Sequence, residues 1–153
     1  MDNSTNLTKM EPEPGVFTWS WLDRAIETLG NAGLKVIMCT PTPTPPKWLT
    51  DAYPSTLRHS ADGLPEKHGS RRHCSVASRT YRAQSRRITT ALADRYGHNP
   101  HVIGWQTDNE YSCHDSTLSY GPEDREAFQA WLAKAYGDIN ALNMQWGTIF
   151  WSM

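Results

Sequence analysis

Val102-Ile103-Gly104-Trp105-Gln106-Thr107-Asp108-Asn109-Glu110 is a short apolar run that passes directly into two carboxylates and an amide. A run of this length containing β-branched residues and closed by polar ones reads as a buried strand giving way to a loop at its C-terminal end. A second run of the same kind, Lys35-Val36-Ile37-Met38-Cys39, stops at Thr40-Pro41-Thr42-Pro43-Thr44-Pro45-Pro46. Proline neither donates to a ladder nor continues a helix, so four prolines in six positions make a stiff loop there. Both strands are expected to be buried on both faces, as parallel strands covered by helices are.

Helical patterns fill the intervals. Ser20-Trp21-Leu22-Asp23 has the form of a capping box, Leu22, Ile26 and Leu29 follow at helical spacing, and residues 31–33 end the helix. Tyr81, Ser85, Ile88, Leu92 and Tyr96 mark one face of a helix from about 78 to 96, with Gly97 as its stop. Pro122 opens a third helix, with Glu123 and Asp124 at the positive end of its dipole. Its apolar face is Phe128, Trp131, Leu132, Ala135 and Tyr136, and 138–145 reads as a further short helix with Ile139 and Leu142 as contacts. Residues 50–77, which include Pro54, Gly63, Pro65 and Gly69, are expected to stay irregular.

Helices alternating with buried strands define an α/β fold with parallel strands. Two strands give the crossover helices little to cover, and a closed eight-stranded barrel needs ~250 residues. The expected fold is therefore α/β, a partial (β/α)8 TIM barrel, with an unusually small open sheet as the alternative.

Composition narrows the function classes. With 153 residues, 38% hydrophobic and 20% charged, the chain has the size and balance of one modest globular domain, which excludes a disordered tail or a collagen-like repeat. Its apolar stretches fall far short of the ~20 residues of a membrane span, so no membrane partner is expected. Residues 1–10 lack the apolar core and cleavage site of a secretory signal, and Cys39, Cys74 and Cys113 are too few for a disulfide framework. A cytoplasmic location is the expectation. Residues 71–95 hold seven arginines against one acid, Asp94, yet Arg79, Arg82, Arg86 and Arg87 fall on the polar side of a helix and the net charge is -1. No nucleic acid partner is expected from that footprint. Seven tryptophans suit core packing first and an aromatic sugar platform second.

Asp108-Asn109-Glu110 stands where barrel enzymes build their active sites, at the C-terminal end of a strand. An ordinary solvated turn is the competing reading. Gly104 and Gln106 inside the strand favour the first, because a small and a polar residue there cost stability unless they serve an interior or a ligand. The six histidines show no metal-binding HExxH spacing; His73 and His114 are candidates to line the pocket.

Five motifs in order carry a resemblance: Ser20-Trp21-Leu22-Asp23; Lys35-Val36-Ile37-Met38 leading through the proline loop to Lys47-Trp48-Leu49; Gly69-Ser70-Arg71-Arg72-His73; Val102 through Tyr111; and residues 142–152. Together they resemble the β-galactosidases of glycoside hydrolase family 42. The resemblance covers residues 9–153 as a partial catalytic barrel and leaves 1–8 as an unmatched N-terminal segment. It implies a (β/α)8 barrel that hydrolyses terminal β-linked galactose with retention of configuration, so a β-galactoside is the implied substrate. Carried onto this sequence, Glu110 matches the acid/base, Asn109 a substrate-binding amide and Arg71 a substrate-binding arginine. Retaining hydrolysis needs a second carboxylate as nucleophile. The resemblance puts that glutamate beyond the position matching Met153 and gives Asp108 a supporting role. It also implies, in many members, a zinc site of four cysteines. Ser75, Ser119, Gly121 and Asp124 stand at the matching positions, so no metal and no cofactor are expected. Members often form trimers, which makes a homo-oligomer an expectation. The alternative function is an inactive remnant or sugar-binding segment, with Trp19, Trp48, Trp105 and Trp151 as stacking surface.

Overall fold

Val36 and Val102 start a parallel strand pair around which the helices are arranged. The computed structural model describes residues 9–69, 72–111, 113 and 116–153. The unmatched segment expected at residues 1–8 lies outside them. In chain order the elements are α1 (Ser20–Asn31), β1 (Val36–Cys39), α2 (Lys47–Ala52), a 3-10 turn (Pro54–Thr56), α3 (Arg79–Tyr96), β2 (Val102–Gln106), α4 (Pro122–Tyr136) and α5 (Ile139–Trp146). Among the described residues the sheet consists of β1 and β2. The register sets Val36 beside Val102, Ile37 beside Gly104, Met38 beside Trp105 and Cys39 beside Gln106, and an irregularity after Val36 skips Ile103.

One face of this sheet is the core. Met38 joins Leu22 and Ile26 of α1 and Ile88, Leu92 and Tyr96 of α3 in a single cluster, with Met10 closing it and Val36, Val102 and Trp105 packed against it. Burial on both faces, expected from the apolar runs, is not what the strands show: Ile37 is 66% and Ile103 64% exposed. Helices α1 and α3 join the same cluster, so alternation along β1 sends Val36 and Met38 inward and Ile37 away from it.

The capping box expected at Ser20 also gives way to a different use of its residues. Trp19 occupies the N-cap position of α1 and no side chain caps the helix. Asp23 instead accepts from Arg95 Nε at 3.0 Å and Nη2 at 2.6 Å, and from the Tyr96 hydroxyl at 2.7 Å, which ties α1 to the end of α3. A forked guanidinium plus a phenol offers this carboxylate more than one backbone N–H would. Helix α1 ends as expected: Gly33 adopts φ 78°, and Leu34 N–H donates to Leu29 O. Helix α3 matches its pattern from end to end, with Ser78 Oγ accepting from Tyr81 N–H and Gly97 at its stop.

Irregular structure was expected from residue 50 onward, but α2 runs to Ala52 and a 3-10 turn follows. Pro46, in extended conformation, starts α2 where its missing N–H is no loss, and Lys47 pairs with Asp51 one turn on at 2.5 Å. Leu49 then anchors a second cluster with Cys74 and Tyr81, against which Trp48 packs. Of the apolar face expected on α4, Leu132 is buried, whereas Phe128 and Trp131 are half-exposed and stacked on each other. Glu11 is buried and pairs with Arg87 of α3 at 2.5 Å while accepting from Gly15 N–H at 2.6 Å, fixing the segment before α1 on the core. No described helix is long and apolar enough to cross a membrane.

The Arg95 guanidinium holds Asp23 below its ordinary carboxylate range, against the opposing pull of burial. A carboxyl lowered on folding stabilises above its unfolded pKa, and that gain is lost as pH falls through the lower folded value. The pair is part-exposed, so its worth stays near the ~0.2–1 kcal/mol of surface pairs. Asp23→Asn should therefore lower the melting temperature slightly at pH 7 and converge with the parent as pH falls through the lowered folded value of Asp23. Melting curves across pH 2–7 check this; an equal difference at both ends would contradict it.

Candidate active site

Thr40, Thr42 and Asp108 lie where β1 and β2 end, and Asp108 connects them. Its Oδ2 accepts from Thr42 Oγ1 at 2.7 Å, and its backbone N–H donates to Thr40 Oγ1 at 2.7 Å. Its Oδ1 accepts from Arg72 Nη2 and from Asn109 N–H, the latter at 2.6 Å. Arg72 Nη2 also donates to Asn109 O, and the guanidinium lies over the Tyr111 ring, 5.1 Å from its centroid. Asp108 and Arg72 are both buried. Two buried charges persist only when paired and hydrogen-bonded, and this pair has both kinds of partner.

The turn that follows is set by this pair. Asp108 and Glu110 adopt left-handed φ of 61° and 47°, and Arg72 itself 56°. A left-handed non-glycine residue is strained unless its surroundings impose it. Gln106, the polar residue within β2, donates to Asn109 Oδ1 at 2.9 Å and to Asp108 O at 3.1 Å. That accounts for Gln106 as a brace for the turn. Gly104 has no such account: a Cβ there would meet only Ile37, at an ordinary 3.8 Å.

Asn109 is half-buried and Glu110 exposed, side by side at the strand end. Glu110 O accepts from Cys113 N–H at 3.1 Å, which closes the turn. Arg71 and His114 lie outside the described residues. His73 is buried edge-on against His68, with ring centroids 4.7 Å apart. A cleft of about 370 Å³ opens beside the turn, lined among others by Thr40, Thr42, Tyr81, Arg82, Asp108 and Tyr111. Burial, and then the Asp108 carboxylate, push both the Cys39 thiol and the Tyr81 phenol up. Burial likewise raises Cys74 to about 11, so neither thiol is a ready nucleophile near neutral pH. Among the described residues, no group of three or more His, Cys, Asp or Glu side chains gathers to hold a metal.

Arg72, Thr40 and Thr42 are the site residues that sequence reasoning missed. The signal lay in the quoted motifs: Arg72 follows Arg71, and the two threonines alternate with prolines at a strand end.

A parallel strand–helix–strand unit whose polar groups converge beyond the strand ends is the arrangement of α/β enzymes. The glycoside hydrolase family 42 model, described as beta-galactosidase, matches residues 4–153, and the chain belongs to that family. It is 54% identical over 143 residues to a β-galactosidase of Thermus thermophilus and 49% identical over 144 residues to β-galactosidase BgaH of Haloferax lucentense. In each case the match takes 94% of this chain and 22% of the relative, so the chain spans about a fifth of their length. The crystal structure of a β-galactosidase from psychrophilic Marinomonas ef1 superposes with a TM-score of 0.91 at 51% identity, covering 97% of this chain and 23% of that one.

Removing either member of a buried pair strands the other charge, at about 3–5 kcal/mol. Arg72→Met and Asp108→Asn should each destabilise by that order, and the double variant by clearly less than the sum. Urea unfolding of the four proteins checks this; additive losses would contradict it.

Proposed function

We propose that this chain forms the part of a (β/α)8 barrel that supplies the acid/base half of a retaining β-galactosidase site. Glu110 is the acid/base, Asn109 and Arg71 bind the galactosyl unit, and the nucleophilic carboxylate comes from outside residues 1–153. The observation that carries this reading is the braced turn at the end of β2, which holds Asn109 and Glu110 at the strand terminus on a buried ion pair. A glycosidase acid must sit in a fixed place. It protonates the leaving oxygen in one step and removes a proton from water in the next, from one position relative to the sugar. The neighbouring amide can bond a sugar hydroxyl next to the reacting carbon, where a contact that tightens in the transition state contributes most. Family membership and the names of the relatives support the substrate class.

The test replaces the matching segment of the Thermus thermophilus relative with residues 9–153 of this chain. The chimera should hydrolyse a nitrophenyl β-galactoside, while the 153-residue chain alone should not. Glu110→Gln in the chimera should lower kcat by about 10²–10⁴-fold. With a dinitrophenyl galactoside, whose leaving group needs no proton, added azide should restore turnover by replacing the base-assisted water. Unchanged turnover in Glu110→Gln, or no rescue by azide, would overturn the assignment.

A further inference from the structure

Asp124, in the first turn of α4, is the meeting point of three chain segments outside the site described above. Ser75 Oγ donates to its Oδ1 at 2.5 Å. Ser119 Oγ donates to its Oδ2 at 2.5 Å, and Gly121 N–H to the same oxygen at 3.1 Å. Ser119 Oγ in turn accepts from His59 N–H at 3.2 Å, and Tyr120 N–H donates to His59 O at 3.1 Å. Cys74, next to Ser75, bridges back to Leu57. One carboxylate thus ties residues 57–60, 74–75 and 119–121 to the start of α4. The preceding helix is tied there too, because Glu123 Oε2 accepts from Arg79 N–H at 2.9 Å, at the start of α3.

The bland reading is that Asp124 only caps its own helix. The bond from Gly121 is of that kind. The bond from Ser75 is not: it spans 49 residues and comes from a fully buried hydroxyl. Short hydroxyl-to-carboxylate bonds belong to the strong, charge-assisted class, and the positive end of α4 adds to them.

Positions 75, 119, 121 and 124 are the four that the family resemblance matches to a cysteine zinc site, and the residues present do not fit that ion. Structural zinc takes thiolates and imidazoles in a tetrahedron. Here two neutral hydroxyls spend their protons on the one carboxylate, and the remaining position has no side chain. A Cβ at Gly121 would meet His59 Nδ1 at 2.8 Å and Asp124 Oδ2 at 2.9 Å, so a ligand side chain there would be crowded. We infer that the Asp124 carboxylate, by accepting from Ser75, Ser119 and Gly121, is a metal-free clamp that ties these loops together. Ser75, which it holds, follows Arg72 by three residues, so the clamp secures the chain just beyond that arginine.

The test uses the 153-residue chain and limited trypsin cleavage within residues 57–75. Asp124→Asn removes the charge. Ser75→Ala with Ser119→Ala keeps the carboxylate and its helix bond, and removes only the hydroxyl donors. Both should raise the cleavage rate by about 10-fold or more, with helix content by circular dichroism unchanged in the double serine variant. EDTA and phenanthroline should leave the parent's rate unchanged, and zinc at micromolar concentration should not bind, read by competition with a chromophoric chelator. Faster parent cleavage on adding chelator, stoichiometric zinc binding, or a double serine variant cleaved at the parent's rate would each overturn the inference.

Discussion

The buried pair of Arg72 and Asp108 is the constraint on which the strand-end region depends. It is not a surface ion pair of uncertain worth, because both partners are out of solvent and each has further hydrogen bonds. Three left-handed non-glycine residues sit at this knot: Arg72, Asp108 and Glu110. Each such residue costs on the order of 1 kcal/mol or more, a few together. Breaking the pair costs about as much again, so the pair and the strained turn are of matched size. The turn keeps its shape because the pair holds it, and Asn109 and Glu110 are presented at the strand end as a result.

The rest of the described structure delivers the three segments to that knot. Helices α1 and α3 pack on Met38, Val36 and Val102, which sets β1 and β2 in register and brings Thr40 and Thr42 level with Asp108. Cys74 and Tyr81 pack on Leu49 of α2 and hold the segment after Arg72. Tyr81 also donates its hydroxyl to Thr42 O, joining α3 to the proline loop. The opposite face of the sheet keeps Ile37 and Ile103 exposed, and near the C-terminus Ile149 and Trp151 are almost wholly exposed. These apolar surfaces accompany a chain that covers about a fifth of the length of its relatives.

Much of the fold was legible because local pattern and tertiary role agreed. Gly97 stopping α3, Pro122 opening α4 and Gly33 closing α1 are all positions where one residue's backbone chemistry decides the outcome. The failures came where a distant partner decided. Asp23 read as a cap and was drawn to Arg95 and Tyr96, 72 and 73 residues on. The apolar runs read as strands buried on both faces, yet the number of neighbouring layers is not written in a strand's own residues. Tryptophan shows both sides: Trp19 and Trp105 pack against the core, as the first reading of seven tryptophans had it, while Trp151 is 97% exposed. At the site, position after a strand and family motif point to Asn109 and Glu110, and the structure has both in the turn after β2. Arg72 was hidden because its value comes from a carboxylate 36 residues away.

The most direct measurement is amide hydrogen exchange at Asp108 and Asn109, read by NMR in the parent and in Arg72→Met. These two amides donate to Thr40 Oγ1 and to the Asp108 carboxylate, so they report the knot itself. Slow exchange in the parent and exchange faster by about 10-fold or more in Arg72→Met is expected if the ion pair holds the turn. Equal exchange at Asp108 and Asn109 in the two proteins would contradict it, and would mean that the strand-end turn keeps its shape without Arg72.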